Sequence, residues 1–269
     1  MSVYMFRNFF KSLLLRGLRK FDLNLSNFNF FLEIKEKADK YDRYVNYVRF
    51  VDKHASGNAL SLFGDACSQI GQDIFVLSFL KMKEAGYFVE FGATDGICLS
   101  NTYLLETKYG WRGILAEPAR GWHSALQKNR KAVVDKRCVW STSGELLNFQ
   151  ENEVGELSGL IQDDRFAAVD AKIKSTVEYR VETISLIDLL DAHDAPSVID
   201  YLSIDTEGSE YEILKSFDFS KYKFKIITCE HNFAASRSKI YDLLIKNGYE
   251  RCCEDVSQFD DWYLNKSCF

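Results

Sequence analysis

The stretch YFVEFGATDG at residues 87–96 decides how the chain folds. An apolar, aromatic-rich run is interrupted only by Glu90 and ends in a glycine-rich turn, with helical sequence following, which predicts a buried strand leading into a helix. Gly92 and Gly96 admit a left-handed φ and close backbone approach. A turn of this kind lies at the carboxyl end of a strand, where open α/β sheets bind ligands. Neither GxGxxG nor GKS/T occurs, which weakens a dinucleotide or P-loop reading.

Outward from this turn the pattern repeats. GILAEP (113–118), AVVDKRCVW (132–140), IDYLSID (199–205) and FKIITCEH (224–231) read as strands. NTYLLETKY (101–109), SALQKNRK (124–131), SLIDLLDAH (185–193) and YEILKSF (211–217) read as helices. The alternation predicts βαβ units and a doubly wound, mostly parallel α/β sheet. Residues 145–183 break it and predict an inserted hairpin and loop, with 150–178 as a lid over an acceptor. YERCCEDV (249–256) and DDWYLN (260–265) predict a closing antiparallel pair. Residues 1–66 carry helical periodicity and predict an N-terminal helical cap ahead of a main domain over 67–269.

The composition is that of a globular chain: 46% of its 269 residues are apolar and 27% charged. A net charge of −5 gives no global attraction to nucleic acid. Seven cysteines without a CxxC pair read as free thiols in a reducing compartment, which predicts a cytoplasmic protein. No apolar run is long enough for a transmembrane helix. Residues 6–21 read as a basic amphipathic helix, either peripheral to a membrane or packed on the domain or a second copy in a homodimer. Packing is the plainer of these readings.

Acids gather where the strands end. Glu90 and Asp95 flank the glycine turn, and Glu117 ends the second strand. Asp205, Glu207 and Glu210 follow another strand, and Glu230, His231 and Asn232 a fifth. Carboxylates repel phosphate but suit a sulfonium that carries an ammonium group, which favours S-adenosylmethionine over ATP or NAD. Glu117 is placed to accept hydrogen bonds from ribose hydroxyls. Asp205, Glu230 and Asn232 form a hard oxygen set for Mg²⁺ as a lesser reading. His231 is the candidate proton acceptor, beside Asp205 and Glu230. The plainer alternatives are helix capping by Thr206 or Ser209 and loop anchoring by Glu230.

Together these segments resemble the FkbM-type methyltransferase family. The resemblance rests on Glu90-Phe-Gly92-Ala93-Thr-Asp95-Gly96, on Glu117-Pro118, and on Ile204-Asp205-Thr-Glu207-Gly208-Ser-Glu210. SQIGQDIFVL (68–77), SNTYLLE (100–106) and GWRGILAEP (110–118) resemble the branch that opens with Ser-Gln-x-Gly-Gln-Asp. The likeness runs over about residues 67–265. It departs at Glu90, where many members carry Asp. The resemblance implies a class I methyltransferase fold, S-adenosylmethionine as cofactor and O-methylation of a sugar, glycan or natural product as small-molecule acceptor. Carried over, Glu90, Gly92, Ala93, Asp95 and Gly96 line the methionine side, with Ser100 and Asn101 at its carboxylate. Glu117 holds the ribose, and Asp205 lies between cofactor and acceptor. The competing expectations are a non-catalytic scaffold on the same fold, peripheral to a membrane, and an NAD-dependent oxidoreductase.

Overall fold

The computed structural model describes residues 62, 64–152, 158–160 and 176–269. The expected N-terminal cap, the amphipathic segment 6–21 and most of the expected lid lie outside these residues.

Strands with no polar face are buried on both sides, and they set the architecture here. In chain order α1 (Gln72–Phe79) precedes β1 (Tyr87–Phe91), followed by α2 (Tyr103–Tyr109), β2 (Arg112–Ala116), α3 (His123–Asn129) and β3 (Val133–Asp135). After an excursion, α4 (Leu186–Ala192), β8 (Val198–Ile204), α5 (Glu210–Lys215), β9 (Lys223–Glu230), α6 (Ser236–Lys246), β10 (Tyr249–Cys252) and β11 (Asp260–Asn265) complete the main layer. The seven strands lie in the order β3-β2-β1-β8-β9-β11-β10. Neighbours from β3 to β9 are parallel, and β11 runs antiparallel between β9 and β10. This is the strand order of a class I methyltransferase. The winding reverses between β1 and β8, and the ligand crevice of such a sheet opens at that reversal.

Side chains alternate across the sheet. Val89 and Phe91 face one core with Leu189 and Leu190 of α4, Ile213 and Leu214 of α5, and Ile240 and Leu244 of α6. Phe88 faces the other, with Phe75 of α1, Leu104 and Leu105 of α2, Leu126 of α3, and Trp262. The Ser-Gln-x-Gly-Gln-Asp segment closes on itself. Buried Asp73 accepts the Ser68 hydroxyl (2.5 Å) and the Cys67 and Ile74 amides (3.1 and 2.8 Å). Its neighbour Gln72 donates to Asp260 at 2.9 Å, across 188 residues of chain.

The run 132–140, expected as one strand, is two. Arg137 turns back onto Asp135, donating through Nε (3.0 Å) and Nη2 (2.6 Å), and His193 also binds that carboxylate. The chain therefore leaves the main sheet after β3 and enters a second one. There β4 (Cys138–Trp140), β5 (Leu146–Asn152), β6 (Gly159–Leu160) and β7 (Thr176–Ser185) lie in the order β4-β7-β5-β6. Its small core joins Val181, Phe149, Cys138 and Leu160 to Ala119, just past the end of β2. All seven cysteines are free thiols. Among the described residues no helix is long and apolar enough to cross a membrane.

Candidate functional site

Three turns at the carboxyl ends of neighbouring strands form the site, and each holds non-glycine residues in left-handed conformation. Thr94 (φ 47°) follows β1, Glu207 (φ 54°) follows β8, and Asn232 (φ 41°) and Phe233 (φ 57°) follow β9. Such conformations cost about 1–3 kcal/mol each and gather at functional sites. Gly92 makes the closest approach. A Cβ at this position would collide with the Asp205 carbonyl oxygen, so the β1 and β8 ends meet only because residue 92 has no side chain.

Glu90 lies elsewhere than expected. Its carboxylate is turned into the protein rather than lining the crevice. It accepts the Ser100 hydroxyl (3.1 Å), the Asn101 amide (2.7 Å) and the Thr102 hydroxyl (2.5 Å), with Arg130 Nη1 3.6 Å away. Ser100 is also buried and serves this network. Asp95 stabilises its own turn, accepting the Ile97 and Cys98 amides at 2.8 Å. Asn101 differs: its amide NH₂ donates to Ser203 Oγ (2.9 Å), while Oδ1 is buried and has no partner among the described residues.

Glu117 stands where expected, at the end of β2. One carboxylate oxygen accepts the Thr94 amide (2.8 Å) and the other the Ala119 amide (2.8 Å). Burial pushes its carboxyl up to about 7 against the pull of those two donors, and nearby Glu151 and Asp205 push the same way.

Asp205, Glu207 and Glu230 bring carboxylate oxygens within 4.8 Å of one another. Glu230 is hydrogen-bonded to Asp205, and burial, then the Asp205 charge, raises its pKa well above the usual carboxylate range. Two acids in this arrangement share a proton. Buried Asp260, paired with Glu230 across the β9–β11 ladder, is pushed up to about 7, mainly by burial. Asn232, the third residue of the expected oxygen set, lies beside this trio, and its side-chain nitrogen donates to Glu230 Oε2 (2.6 Å). Glu210 turns back to cap its own helix approach, accepting the Gly208 amide at 2.7 Å.

His231 does not reach this cluster. Its ring is buried, and Nδ1 accepts the Phe233 amide at 2.9 Å, which leaves the proton on Nε2, 3.8 Å from Asp261. Burial lowers its pKa. The imidazole anchors the strained loop 231–234 and has no open lone pair for a substrate proton.

Arg130, Thr102, Ser203 and Asp260 went unread in the sequence. A charge at a helix end ordinarily signals solvent, and only the tertiary fold shows Arg130 with a fully buried side chain.

The family model of the methyltransferase FkbM domain matches residues 90–263. No curated protein matches the chain. Among solved structures, a precorrin-6y C5,15-methyltransferase from Geobacter metallireducens GS-15 is similar at 14% identity, over 67% of this chain and 71% of that one, with a TM-score of 0.38. A METTL16 methyltransferase domain is similar at 13% identity, over 71% and 63% of the two chains, with a TM-score of 0.39. The N-terminal domain of human METTL16 in complex with SAH is similar at 15% identity, over 71% and 66%, with a TM-score of 0.37. The chain thus spans slightly less than two thirds of both METTL16 chains. The fold assignment rests on the strand order and not on these likenesses.

Proposed function

The chain belongs to the methyltransferase FkbM domain family, and from that premise we propose that it transfers a methyl group from S-adenosylmethionine to a hydroxyl oxygen of a sugar, glycan or natural product. The residues suit that cofactor. Orphaned Asn101 Oδ1 offers an acceptor to an ammonium group, Glu117 retains lone pairs for ribose hydroxyls, and Gly92 lets the turn after β1 close directly onto the Asp205 backbone at the β8 end. When bound, S-adenosylmethionine supplies an electrophilic methyl group.

The observation that carries the choice of oxygen is the Asp205–Glu230 pair. A hydroxyl loses its proton as it is methylated, and the hydrogen-bonded Asp205–Glu230 pair, in which burial and the Asp205 charge make the Glu230 carboxylate more basic than usual, is suited to receive it. His231 acts one step back, holding the loop that places Asn232 on Glu230. A second reading places a divalent cation on Asp205, Glu207 and Glu230, where it would lower the pKa of the hydroxyl instead. Under that reading MgCl₂ raises the melting temperature of the wild type and not of Asp205→Asn.

The test is calorimetry with S-adenosylhomocysteine, followed by incubation of S-adenosylmethionine with a panel of sugars, glycosides and amines. Micromolar binding and methyl ethers on hydroxyl acceptors are expected. Tight binding of NAD with none of S-adenosylhomocysteine removes the cofactor assignment, and turnover restricted to amines removes the choice of oxygen.

A further inference from the structure

Segment 96–102 links the glycine turn to α2 and contains Asn101, yet no regular secondary structure holds it. One side chain brackets it. Arg130, at the carboxyl end of α3, donates through Nη1 to the Gly96 carbonyl (3.1 Å) and to Ser100 Oγ (3.0 Å), and through Nη2 to Thr102 Oγ1 (2.8 Å). Nε is anchored on Glu106 Oε2 at 2.8 Å, so the guanidinium has a fixed plane. The side chain is fully buried, with the Phe88 ring 5.5 Å and the Tyr103 ring 5.8 Å from the guanidinium carbon. A Cβ at Gly96 would lie 2.6 Å from Arg130 Cγ, so the glycine turn is packed directly on this arginine.

The same hydroxyls that Arg130 touches also donate to Glu90. Glu90 completes the grip by accepting the Asn101 main-chain amide. Asn101 is thereby held between two bracketed neighbours, with its NH₂ on Ser203 and its Oδ1 shielded from water and unpaired among the described residues. An unpaired buried acceptor carries an uncompensated desolvation cost, which a ligand donor relieves. The surrounding charges favour a cationic donor. Glu90 and Glu106 face a single arginine, so the buried group keeps one negative charge.

We propose that Arg130 is a positioning residue for the amino-acid half of the cofactor, setting segment 96–102 so that Asn101 Oδ1 receives the cofactor's ammonium group. This rests on the S-adenosylmethionine reading above. Lysine cannot replace the arginine, because a point charge cannot span Gly96, Ser100 and Thr102 together. Ser203 Oγ accepts the Asn101 side-chain nitrogen at 2.9 Å, which leaves Oδ1 as the unpaired end of the amide.

The test compares two ligands on the full-length protein. S-adenosylhomocysteine carries the amino-acid half; 5′-methylthioadenosine has the same adenosine and thioether but lacks it. Calorimetry on wild type, Arg130→Lys and Asn101→Ala is expected to show a tenfold or greater loss of S-adenosylhomocysteine affinity in both variants. Methylthioadenosine affinity is expected to stay within twofold. Asn101→Ala removes one half-buried side chain outside the Arg130 network and tests the acceptor even if the arginine variant folds poorly. Equal weakening of both ligands, or weakening of neither, overturns the proposal. Failure of the wild type to bind either ligand overturns the cofactor reading itself, so the two failures are distinct.

Discussion

Glu117 carries the sharpest residue-scale consequence. Its carboxyl is raised from 4.5 to about 7 by burial. A carboxyl that is harder to ionise in the folded state contributes stability below its unfolded pKa, and that contribution is lost as pH rises from about 4.5 to about 7. At pH 8 the buried charge therefore costs about 3 kcal/mol. Glu117→Gln removes that charge but gives up one of the two amide bonds, worth about 1 kcal/mol. The variant is expected to melt about 3–8 °C above wild type at pH 8 without ligand. It gains nothing at pH 5, where the wild-type carboxyl is already neutral. The same variant is expected to lose tenfold or more in S-adenosylhomocysteine affinity. Scanning calorimetry at both pH values checks the pair, and a variant that melts lower at pH 8 contradicts the burial argument. If the ribose needs the ionised carboxylate, wild-type affinity falls about fivefold between pH 7 and pH 6, following the ionised fraction.

What the sequence shows of such residues depends on direction. Glu117 and Asp205 sit at strand ends, where strand alternation and the turn fix their side, and both stand at the crevice. Glu90 and His231 also flank strand ends, but nothing in the sequence reports that Arg130 waits behind Glu90 or that the Phe233 amide occupies the imidazole. A buried partner contributed by a distant helix leaves no local pattern.

At the scale of elements, the second sheet acts on the turn that follows β2. Tyr179 of β7 accepts the Arg120 amide through its hydroxyl (3.0 Å) and donates to Glu151 of β5 (2.5 Å). Glu151 in turn accepts the Gly121 amide at 2.9 Å, and the Arg120 guanidinium lies 4.1 Å from the centre of the Tyr179 ring. The inserted strands thus hold residues 118–121, and with them the Ala119 amide that orients Glu117. Tyr179→Phe keeps the ring and deletes the two bonds. It is expected to weaken S-adenosylhomocysteine and methylthioadenosine alike, by about 3–10-fold, since each bond is worth about 0.5–1.5 kcal/mol. Equal affinity in variant and wild type would show that the turn stands without the second sheet. Among elements the parallel strands were legible because both their faces are apolar. The β3–β4 break was not, because an apolar run interrupted by Lys136 and Arg137 resembles one long strand until the Asp135–Arg137 contact turns the chain.

At the scale of the whole molecule, the last strand is a structural centre although it comes at the end of the chain. β11 pairs with β9 on one side and β10 on the other, so β10 joins the sheet only through it. Trp262 packs 4.5 Å from Phe75 of α1, and Asp260 receives Gln72, which locks the first described helix to the final strand. Parallel pairing and contacts this distant in sequence require most of the chain before the sheet can close, which slows folding. Trp262→Ala is expected to cost about 3–5 kcal/mol, a large fraction of a domain's stability. A chain ending at Val256 is expected to show no cooperative melt by near-ultraviolet circular dichroism, because it strips β9 of a partner and leaves β10 unattached. A truncated chain that still melted sharply and bound S-adenosylhomocysteine would mean that the parallel strands and their helices fold as a unit of their own, with the antiparallel pair an addition to it.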